Sequence, residues 1–457
     1  MYETVREAVE NRDFKKVKEL FTQLNEADIA DLIQGFHDNQ EVDARDISLL
    51  FRLLPKDMAA EVFTYMDSDM KELLINSFTD TELQEVIDNL FIDDTVDLIE
   101  EMPANAVARI LRASDPQSRR MINMILKYPE DSAGSIMTTE YIYMKKDSTV
   151  KETLDKIRSL GMAKETVYTI YVTSMHRKLI GVLSILDLLT ADDDELVGDI
   201  MDTNVITVET TEDQEDVANK FAKYDFVALP VVDNEHRIVG IVTFDDAMDV
   251  VQEEATEDFA HMAAIQPSEE SYFKTSVFTH AKNRIVWLLV LMLSSTISSV
   301  IINHYEAAFA AIPLLVASIP TLTGTGGNCG SQTSTMIIRG MSLGEIQLRD
   351  FFKVVFKEFR ISLIVSAILA SVNFVRIYIQ YYNDPSADSF RFALCVSLAI
   401  VAAVVMSKLI GCILPMAAKA VHLDPALMAA PLISTIVDAS TTLVFFNIAL
   451  LVFHISL

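Results

Sequence analysis

Five apolar stretches in the second half of the chain most constrain what it can fold into. A membrane-spanning helix needs about 20 predominantly apolar residues, and each stretch is long enough for that. The predicted spans are residues 285–303, 309–338, 352–380, 391–418 and 426–453. The pattern therefore predicts an α-helical membrane domain over residues 283–457, with five spans in each subunit.

The first half of the chain has a different character, because it is strongly acidic. Residues 1–270 contain 58 Asp and Glu against 25 Lys and Arg, a net charge of −33, whereas the remainder contains 8 acidic and 12 basic residues. This charge argues against nucleic acid as a partner, since phosphates attract basic surfaces, and it favours cations. The N-terminus has no apolar core of the kind found in signal peptides, so we expect this half in the cytoplasm.

Basic residues near the spans predict the orientation in the bilayer. Lys419 lies between the fourth and fifth spans, and the loops on the opposite side contain no Lys or Arg. The basic residues around the loop between spans two and three are Arg339, Arg349, Lys353, Lys357 and Arg360. Under the positive-inside rule, the chain is a multi-pass protein of the cell (plasma or inner) membrane with its C-terminus outside.

The acidic half divides into helical and mixed regions. Residues 1–130 have apolar residues at spacings of three and four, which predicts an all-α, superhelical N domain. After it, AGSIMTTE at Ala133 recurs as VGDIMDTN at Val197, each followed by a strand, helix, strand, strand, helix pattern. This tandem resembles a pair of α/β CBS domains, at residues 131–197 and 198–250. An acidic connecting helix is predicted over 251–282.

The resemblance to CBS pairs implies an adenine nucleotide such as ATP as a regulator. The residues at the matching positions are Thr243 and Asp246 in the second copy and Ser184 and Asp187 in the first. The alternative is that Thr243 and Ser184 only cap the helices that follow them.

An uncharged, glycine-rich segment, GTGGNCGSQTST from Gly324, lies in the second span. Irregular backbone at membrane depth is tolerated only against protein or a water-filled cavity. The segment therefore predicts a pore wall, whose glycines permit close helix packing or a helix break; the alternative is packing of small residues between helices without a pore. Both interpretations remain open from the sequence.

Asp438 is an acidic residue in the interior of the fifth predicted span. Burying a carboxylate in lipid costs several kcal/mol, so Asp438 should face an ion, a cavity or a partner such as Lys408. Ser434, Thr435 and Thr442 lie three or four residues away on the same helix. Oxygen ligands without His or thiolate favour a hard cation such as Mg²⁺ or Ca²⁺.

Other chemistry is not indicated. The three cysteines, Cys329, Cys395 and Cys412, lack metal-ligand spacing and are expected to pack in the apolar half. There is no GxxxxGK[ST] phosphate loop, nor a nucleophile and base of the kind an enzyme needs. The sequence therefore predicts a protein that is not an enzyme.

The order of these parts, with GTGGNCGSQTST and DPALMAAPLISTIVDAS, resembles the MgtE family of magnesium channels over essentially the whole chain. The resemblance implies a homodimer whose pore is lined by spans two and five, with Asp438 as the central Mg²⁺-binding carboxylate. The other pore positions that it implies are Gly327, Ser331, Thr335, Ala430 and Ser434. Some family members have asparagine in place of Ser331 and Ala430, which leaves a broader channel for Co²⁺, Mn²⁺ or Ni²⁺ open.

The resemblance also implies that cytosolic Mg²⁺ binds between the N domain, the CBS pair and the connecting helix and closes the pore. The carboxylates at the matching positions are Asp93, Asp94, Asp97, Asp246, Asp249, Glu254, Glu257, Asp258 and Asp424. Bound Mg²⁺ would offset their mutual repulsion and let acidic surfaces dock. The expected function is Mg²⁺ uptake down the electrochemical gradient. The alternative from another class is a nucleotide-sensing membrane receptor that transports nothing.

Overall fold

The computed structural model of the chain forms two compact units, Met1–Val251 and Gln252–Leu457. The structure describes residues 2–39, 42–160, 164–267, 272, 275–306, 312–382, 388–428 and 430–454.

Short helices build the N-terminal part of the first unit, and alternate helices stack on one another. The described residues before position 130 contain α1 Tyr2–Glu10, α2 Phe14–Phe21, α3 Glu26–Asp38, α4 Ala44–Phe51, α5 Lys56–Thr64, α6 Ser68–Ser77, α7 Asp80–Ile87, α8 Ile92–Glu101, α9 Ala104–Ala113 and α10 Pro116–Ile125. Helix α3 packs on α5, α5 on α7 and α7 on α9, while α4 packs on α6 and α8 on α10. The predicted all-α N domain is confirmed, because each short helix buries its apolar face against its stacked neighbours.

Two three-stranded sheets of the same topology follow. The first contains β1 Ile142–Lys145, β2 Thr169–Thr173 and β3 Leu179–Ser184, with helices α11 Val150–Leu160 and α12 Ile185–Thr190. The second, after α13 Val197–Ile200, contains β4 Val208–Glu209, β5 Ala228–Val232 and β6 Ile238–Thr243, with α14 Gln214–Tyr224. In each sheet the first two strands are parallel and the last two antiparallel. This is the order predicted for a CBS pair.

Helix α15, Phe244–Met262, follows β6 directly. The connecting helix predicted over 251–282 is therefore wrong in its bounds. It begins earlier, at Phe244, where the Asp246 carboxylate in the first turn accepts from the Thr243 backbone N–H, and it ends at Met262. The next helix starts only at Val277, after the Ser276 cap.

Long helices dominate the second unit. They are α16 Val277–His304, α17 Leu314–Ser342, α18 Phe351–Gln380, α19 Ser389–Ala420 and α20 Ala430–Phe453, with short 3-10 turns at Leu348–Asp350 and Pro425–Met428. Helix α19 packs against α17, α18 and α20, while α16 packs against α20. Among the described residues, α16, α18, α19 and α20 are long and apolar enough to cross a membrane. Helix α17 is as long, but its Gly, Ser, Thr and Asn residues make it less apolar, so a fifth span stays a prediction.

The glycine-rich segment forms part of a continuous helix, so the predicted helix break is wrong. Residues 324–335 lie inside α17. Their glycines permit close helix packing: a Cβ atom on Gly411 of α19 would lie 2.4 Å from the carbonyl oxygen of Gly330. A Cβ on Gly326 would lie 2.9 Å from the Val437 side chain of α20. The segment therefore packs closely against its neighbours through small residues, and a pore beside it stays a prediction.

Candidate cation sites

Asp438 lies on α20 beside the glycine-rich part of α17. Its helical neighbour Ser434 faces the same way, because a Cβ on Gly327 would be 3.4 Å from Ser434 Oγ and 3.9 Å from Asp438 Oδ1. The structure therefore brings together three of the predicted pore residues. The Asp438 carboxylate is half-buried and forms no hydrogen bond or ion pair with any residue that the structure describes.

Lys408, the alternative partner of Asp438, is bound elsewhere. Its Nζ donates a hydrogen bond to Thr333 Oγ1 at 3.0 Å and lies 3.6 Å from Glu358 Oε2, and Thr333 donates to the same carboxylate at 3.2 Å. The predicted alternative of an Asp438–Lys408 salt bridge is therefore wrong. The sequence analysis did not identify Glu358 as the partner of Lys408, because Glu358 lies near the end of a span. The opposite charges of the two residues were the signal that could have indicated the pair.

The remaining predicted pore residues are more scattered. Ser331 is half-buried and Thr335 exposed on α17, and helical spacing places them on the side that also carries Gly324 and Asn328. A Cβ on Gly324 would have nothing within 4 Å, so this polar side of α17 is uncovered in a single chain. The Ala430 side chain lies outside the described residues.

Two hydroxyl groups near Asp438 donate hydrogen bonds to backbone carbonyl oxygens of their own helix. Thr435 Oγ1 donates to the carbonyl of Pro431 at 3.0 Å, and Thr442 Oγ1 donates to the carbonyl of Asp438 at 2.7 Å. Such bonds are common for Thr within a helix. Of the three hydroxyl residues predicted around Asp438, Ser434 therefore remains the one placed to face an ion.

Carboxylates from three parts of the first unit gather around the N-terminal half of α8. We call them the α8 acidic cluster: Asp93, Asp94, Asp97, Glu140, Glu165, Asp245 and Asp246. Sequence reasoning missed Glu140, Glu165 and Asp245. The two glutamates belong to the first CBS copy, and no local pattern connects them to α8.

Burial and mutual repulsion perturb the pKa values of this cluster. Burial, followed by the charge of Asp246, holds the pKa of Asp93 well above its usual range. Burial is also the main cause that raises the pKa of Asp94 and of Asp246 to about 6, that of Asp97 to about 7 and that of Glu165 to about 8. Asp93 Oδ1 is buried without a hydrogen-bond partner among the described residues. The cluster is therefore short of positive charge.

A divalent cation would supply that charge. No three His, Cys, Asp or Glu side chains in the described ranges converge closely enough to enclose a metal ion directly. Mg²⁺ usually keeps several of its waters and binds proteins through one or two carboxylates. The arrangement therefore fits a hydrated ion better than a fully dehydrated one.

A second acidic group lies at the end of α15, within the second unit. His261 Nδ1 is 2.7 Å from Asp424 Oδ2, and Ser342 at the end of α17 donates to Asp258 Oδ2 at 3.3 Å. Burial, followed by the charge of Asp424, raises the pKa of Asp258. Met262 packs on Ile338 and Ala426. The end of α15 thus contacts both α17 and the turn before α20, through His261 and Ser342, which the sequence did not indicate.

The other predicted sensor residues lie along α15. Burial, followed by the charge of Asp245, raises the pKa of Asp249 in the first unit. Glu257 Oε1 is 3.7 Å from His261 Nε2, and Glu254 is half-buried one turn before Asp258. These residues follow one helix and do not form a compact group by themselves.

The predicted nucleotide contacts are helix caps in the structure. Ser184 Oγ donates to Asp187 at 2.7 Å and accepts from the Asp187 backbone N–H at 3.1 Å, at the start of α12. At the start of α15, the Thr243 backbone N–H and Oγ1 both donate to the Asp246 carboxylate. Because Asp246 also belongs to the α8 acidic cluster, its surroundings favour a cation over a phosphate. A nucleotide role for these residues stays a prediction.

Family models match most of the chain. The model described as "Divalent cation transporter" matches residues 319–448, "MgtE intracellular N domain" matches 24–131, and "CBS domain" matches 133–194 and 197–253. The magnesium transporter MgtE of Thermus thermophilus is 32% identical over 450 residues, 98% of this chain and 97% of the relative. The magnesium transporter MgtE of Bacillus subtilis is 30% identical over 426 residues, 91% of this chain and 93% of the relative.

Solved structures match the first unit. A crystal structure of the cytosolic domain of the Mg²⁺ channel MgtE in complex with ATP aligns with a TM-score of 0.51 at 34% identity, covering 55% of this chain and all of that one. The soluble part of a magnesium transporter aligns with a TM-score of 0.51 at 29% identity, covering 56% of this chain and 98% of that one.

Proposed function

The chain belongs to the MgtE family of divalent cation transporters, a family of transporters and not of enzymes, and from this membership we propose that it is a homodimeric Mg²⁺ channel. It takes up Mg²⁺ down the electrochemical gradient. Inward movement of a divalent ion across 100 mV, negative inside, releases about 4.6 kcal/mol, twice the value for one charge. No other energy source is needed.

The uncompensated carboxylate of Asp438 carries this proposal. It lies on an apolar helix, has no protein partner among the described residues, and faces Ser434 and Gly327. A charge at membrane depth is retained only beside an ion, water or an opposite charge, and Lys408 is bound to Glu358. An ion pathway between α17 and α20 accounts for the charge and for the uncovered polar side of α17. In this arrangement α17 is the fifth span.

A second copy of the chain would place two Asp438 carboxylates around one axis, which suits a divalent ion. Exposed apolar side chains on the CBS pair support such a dimer: Leu186 and Leu189 on α12 are 64% and 67% exposed, and Phe244 and Met248 on α15 are 52% and 49% exposed. Both helices follow the third strand of their sheet. Replacing Leu186 and Leu189 by Glu should lower the dimer mass measured by light scattering, whereas an unchanged mass would count against this interface.

Cytosolic Mg²⁺ closes the channel in this proposal. The α8 acidic cluster binds Mg²⁺ within the first unit, and Asp258 with Asp424 binds it where α15 meets α17. Neighbouring carboxylates repel one another and thereby contribute to the raised pKa values of Asp93 and Asp258. A bound Mg²⁺ at each site offsets this repulsion. The ions thereby hold the end of α15 against Ser342 and Asp424, at the cytoplasmic end of the pathway. The N-terminus is cytoplasmic and the C-terminus outside.

Two finer assignments belong to this proposal. An adenine nucleotide binds the CBS pair as a regulator, through Ser184 and Asp187 in the less acidic first copy; the support is the ATP complex of the related cytosolic domain. Selectivity among divalent ions is set by the polar side of α17 together with Asp438. Because Ser331 stands where some relatives have asparagine, competition by Co²⁺, Mn²⁺ or Ni²⁺ in a flux assay should show whether the channel is strict for Mg²⁺.

Mg²⁺ uptake into proteoliposomes, with Mg²⁺ on the cytoplasmic side set to micromolar or to tens of millimolar, tests the proposal. We expect uptake at low cytoplasmic Mg²⁺ and none at high. Asp438→Ala should abolish uptake, while Glu345→Gln, which neutralises an exposed carboxylate in the loop after α17, should not. Uptake by Asp438→Ala equal to that of the wild type would refute the pathway. Uptake at both Mg²⁺ levels would refute the sensor, and uptake at neither would favour a receptor.

A further inference from the structure

Four basic residues lie at or immediately before the start of α18, and the three within the helix share one side. Lys353, Lys357 and Arg360 are spaced by four and three residues, which aligns their side chains along a single face of α18, and Arg349 lies in the 3-10 turn immediately before the helix. All four are exposed, and the Lys353 side chain is 84% exposed. We call these four residues the basic stripe.

Insertion of α18 into a bilayer would place the basic stripe at the bilayer surface. The rest of α18, residues 361–380, is mostly apolar, with Arg376 bonded to Asn373 near its end. Its 20 residues cover about 30 Å at 1.5 Å per residue, the thickness of the hydrocarbon core. Arg360 immediately precedes this part. The stripe therefore begins at the edge of the hydrocarbon and extends outwards through the headgroup region.

The protein itself neutralises little of this charge. Lys353 Nζ bonds Asp350 at 3.0 Å, and Arg349 also acts electrostatically on that carboxylate. Lys357 and Arg360 have no hydrogen bond or ion pair with any described residue. Glu358, although it lies between them in sequence, faces inwards to Lys408. Lys357 and Arg360 are therefore exposed cationic side chains that are available to bind an external anion, in a chain with a formal net charge of −29.

Exposed phenylalanines line the neighbouring side of the same helix. Phe352 and Phe356 are 83% and 62% exposed, and Phe359 is 38% exposed. Aromatic side chains next to Lys and Arg are typical of surfaces that insert at the boundary between headgroups and acyl chains. An acidic protein surface would complement the charges but would leave the phenylalanines without an apolar partner.

We propose that the basic stripe and its phenylalanines bind anionic phospholipid headgroups in the adjoining leaflet. Phosphate oxygens accept from Lys357 and Arg360, while the acyl chains contact Phe352 and Phe356. Each basic residue near an anionic surface strengthens binding about fivefold, equivalent to about 1 kcal/mol. The inference rests on the proposed insertion of α18 into the membrane and not on which ion is transported.

The test compares lipid binding by the purified full-length chain in neutral detergent, titrated with phosphatidylglycerol or with phosphatidylcholine and followed by native mass spectrometry. We expect phosphatidylglycerol to bind more tightly. Lys357→Gln with Arg360→Gln should weaken that binding about 30-fold, because the roughly fivefold effects of the two charges multiply. Phosphatidylcholine binding should not change. The charge-preserving pair Lys357→Arg with Arg360→Lys should retain it.

A matched control removes the same charge elsewhere near the membrane. Lys282 and Arg284 are exposed at the start of α16 but two residues apart, so they do not share a face. An equal loss in Lys282→Gln with Arg284→Gln would overturn the proposal, because the attraction would then be non-specific. The proposal would also be overturned if inorganic phosphate displaced phosphatidylglycerol at the same concentration as the lipid. It would equally be overturned if the stripe caused salt-dependent self-association of the protein and showed no preference between the lipids. Failure of Mg²⁺ uptake would leave the lipid measurement unaffected.

Discussion

Lys408 and Glu358 form a buried ion pair between α19 and α18, with 3.6 Å between Nζ and Oε2 and with side chains 8% and 13% exposed. Thr333 of α17 bonds both groups. The pair therefore connects three helices, and Thr333 fixes the rotation of α17, whose opposite side carries the predicted pore residues. Removing one charge leaves the other buried and uncompensated, whereas removing both does not.

Glu358→Gln should destabilise the protein strongly. Loss of one partner of a buried ion pair costs about 3 to 5 kcal/mol, so the thermal unfolding midpoint in detergent should fall by several degrees. The double variant Glu358→Leu with Lys408→Met should recover most of the loss, since apolar side chains of similar volume need no charge compensation. A double variant as unstable as Glu358→Gln would show that the ionic contact itself is required.

Asp438→Asn should have the opposite effect on stability. This carboxylate has no partner among the described residues, so neutralising it removes an uncompensated charge and should leave the unfolding midpoint unchanged or raise it, even as Mg²⁺ uptake is lost. The same thermal unfolding measurement applies. A lower midpoint, comparable to that of Glu358→Gln, would show that Asp438 has a structural partner.

Gly411→Ala should disrupt helix packing while Gly324→Ala should not. A Cβ on Gly411 would meet the Gly330 carbonyl oxygen at 2.4 Å, which forces α17 and α19 apart, whereas a Cβ on Gly324 would have nothing within 4 Å. Overpacking of this kind costs about 1 to 3 kcal/mol. Unfolding midpoints of the two variants provide the measurement. Equal midpoints would contradict the close approach of α17 and α19.

Without divalent cations, stability should fall as pH rises from about 4 to 8. The folded pKa of Asp97 is about 7 and that of Glu165 about 8, above their unfolded values near 4. The folded state therefore holds more protons, so its stability is fully present below the unfolded pKa and is lost as pH rises through the folded pKa. Thermal unfolding of the metal-free chain across this range should show the decline, and Glu165→Gln should flatten it.

Millimolar Mg²⁺ should offset that decline at pH 8 more than at pH 5, because protons and Mg²⁺ compete for the same carboxylates. Asp93→Asn should reduce the Mg²⁺-induced rise in the unfolding midpoint, since the buried and unpartnered Asp93 Oδ1 is central to the α8 acidic cluster. Asp115→Asn, which changes an exposed helix cap in the same domain, serves as the control. An equal Mg²⁺ response in both variants would place the ion elsewhere.

The sequence by itself determined the features that are encoded locally. Hydropathy separated an apolar half from an acidic one. A recurring segment followed by strand and helix patterns predicted the tandem sheets, apolar spacings of three and four predicted the N-terminal helices, and the isolated charge of Asp438 indicated a site. Each of these patterns lies within a short stretch of residues, so it can be recognised from the sequence without the folded structure. The glycine-rich segment shows the limit: its composition allowed either a break or close packing, and only the neighbouring Gly411 and Val437 decide for packing.

Only the tertiary structure decided which distant side chains meet. Lys408 pairs with Glu358 and not with Asp438 because the rotation of α19 turns its ammonium towards α18. Glu165 joins Asp93 because the first CBS copy folds against α8. His261 reaches Asp424, 163 residues later in the chain. Such pairings depend on how rigid elements rotate and pack, and the free energy that selects them is a sum over many contacts that no single window of sequence contains.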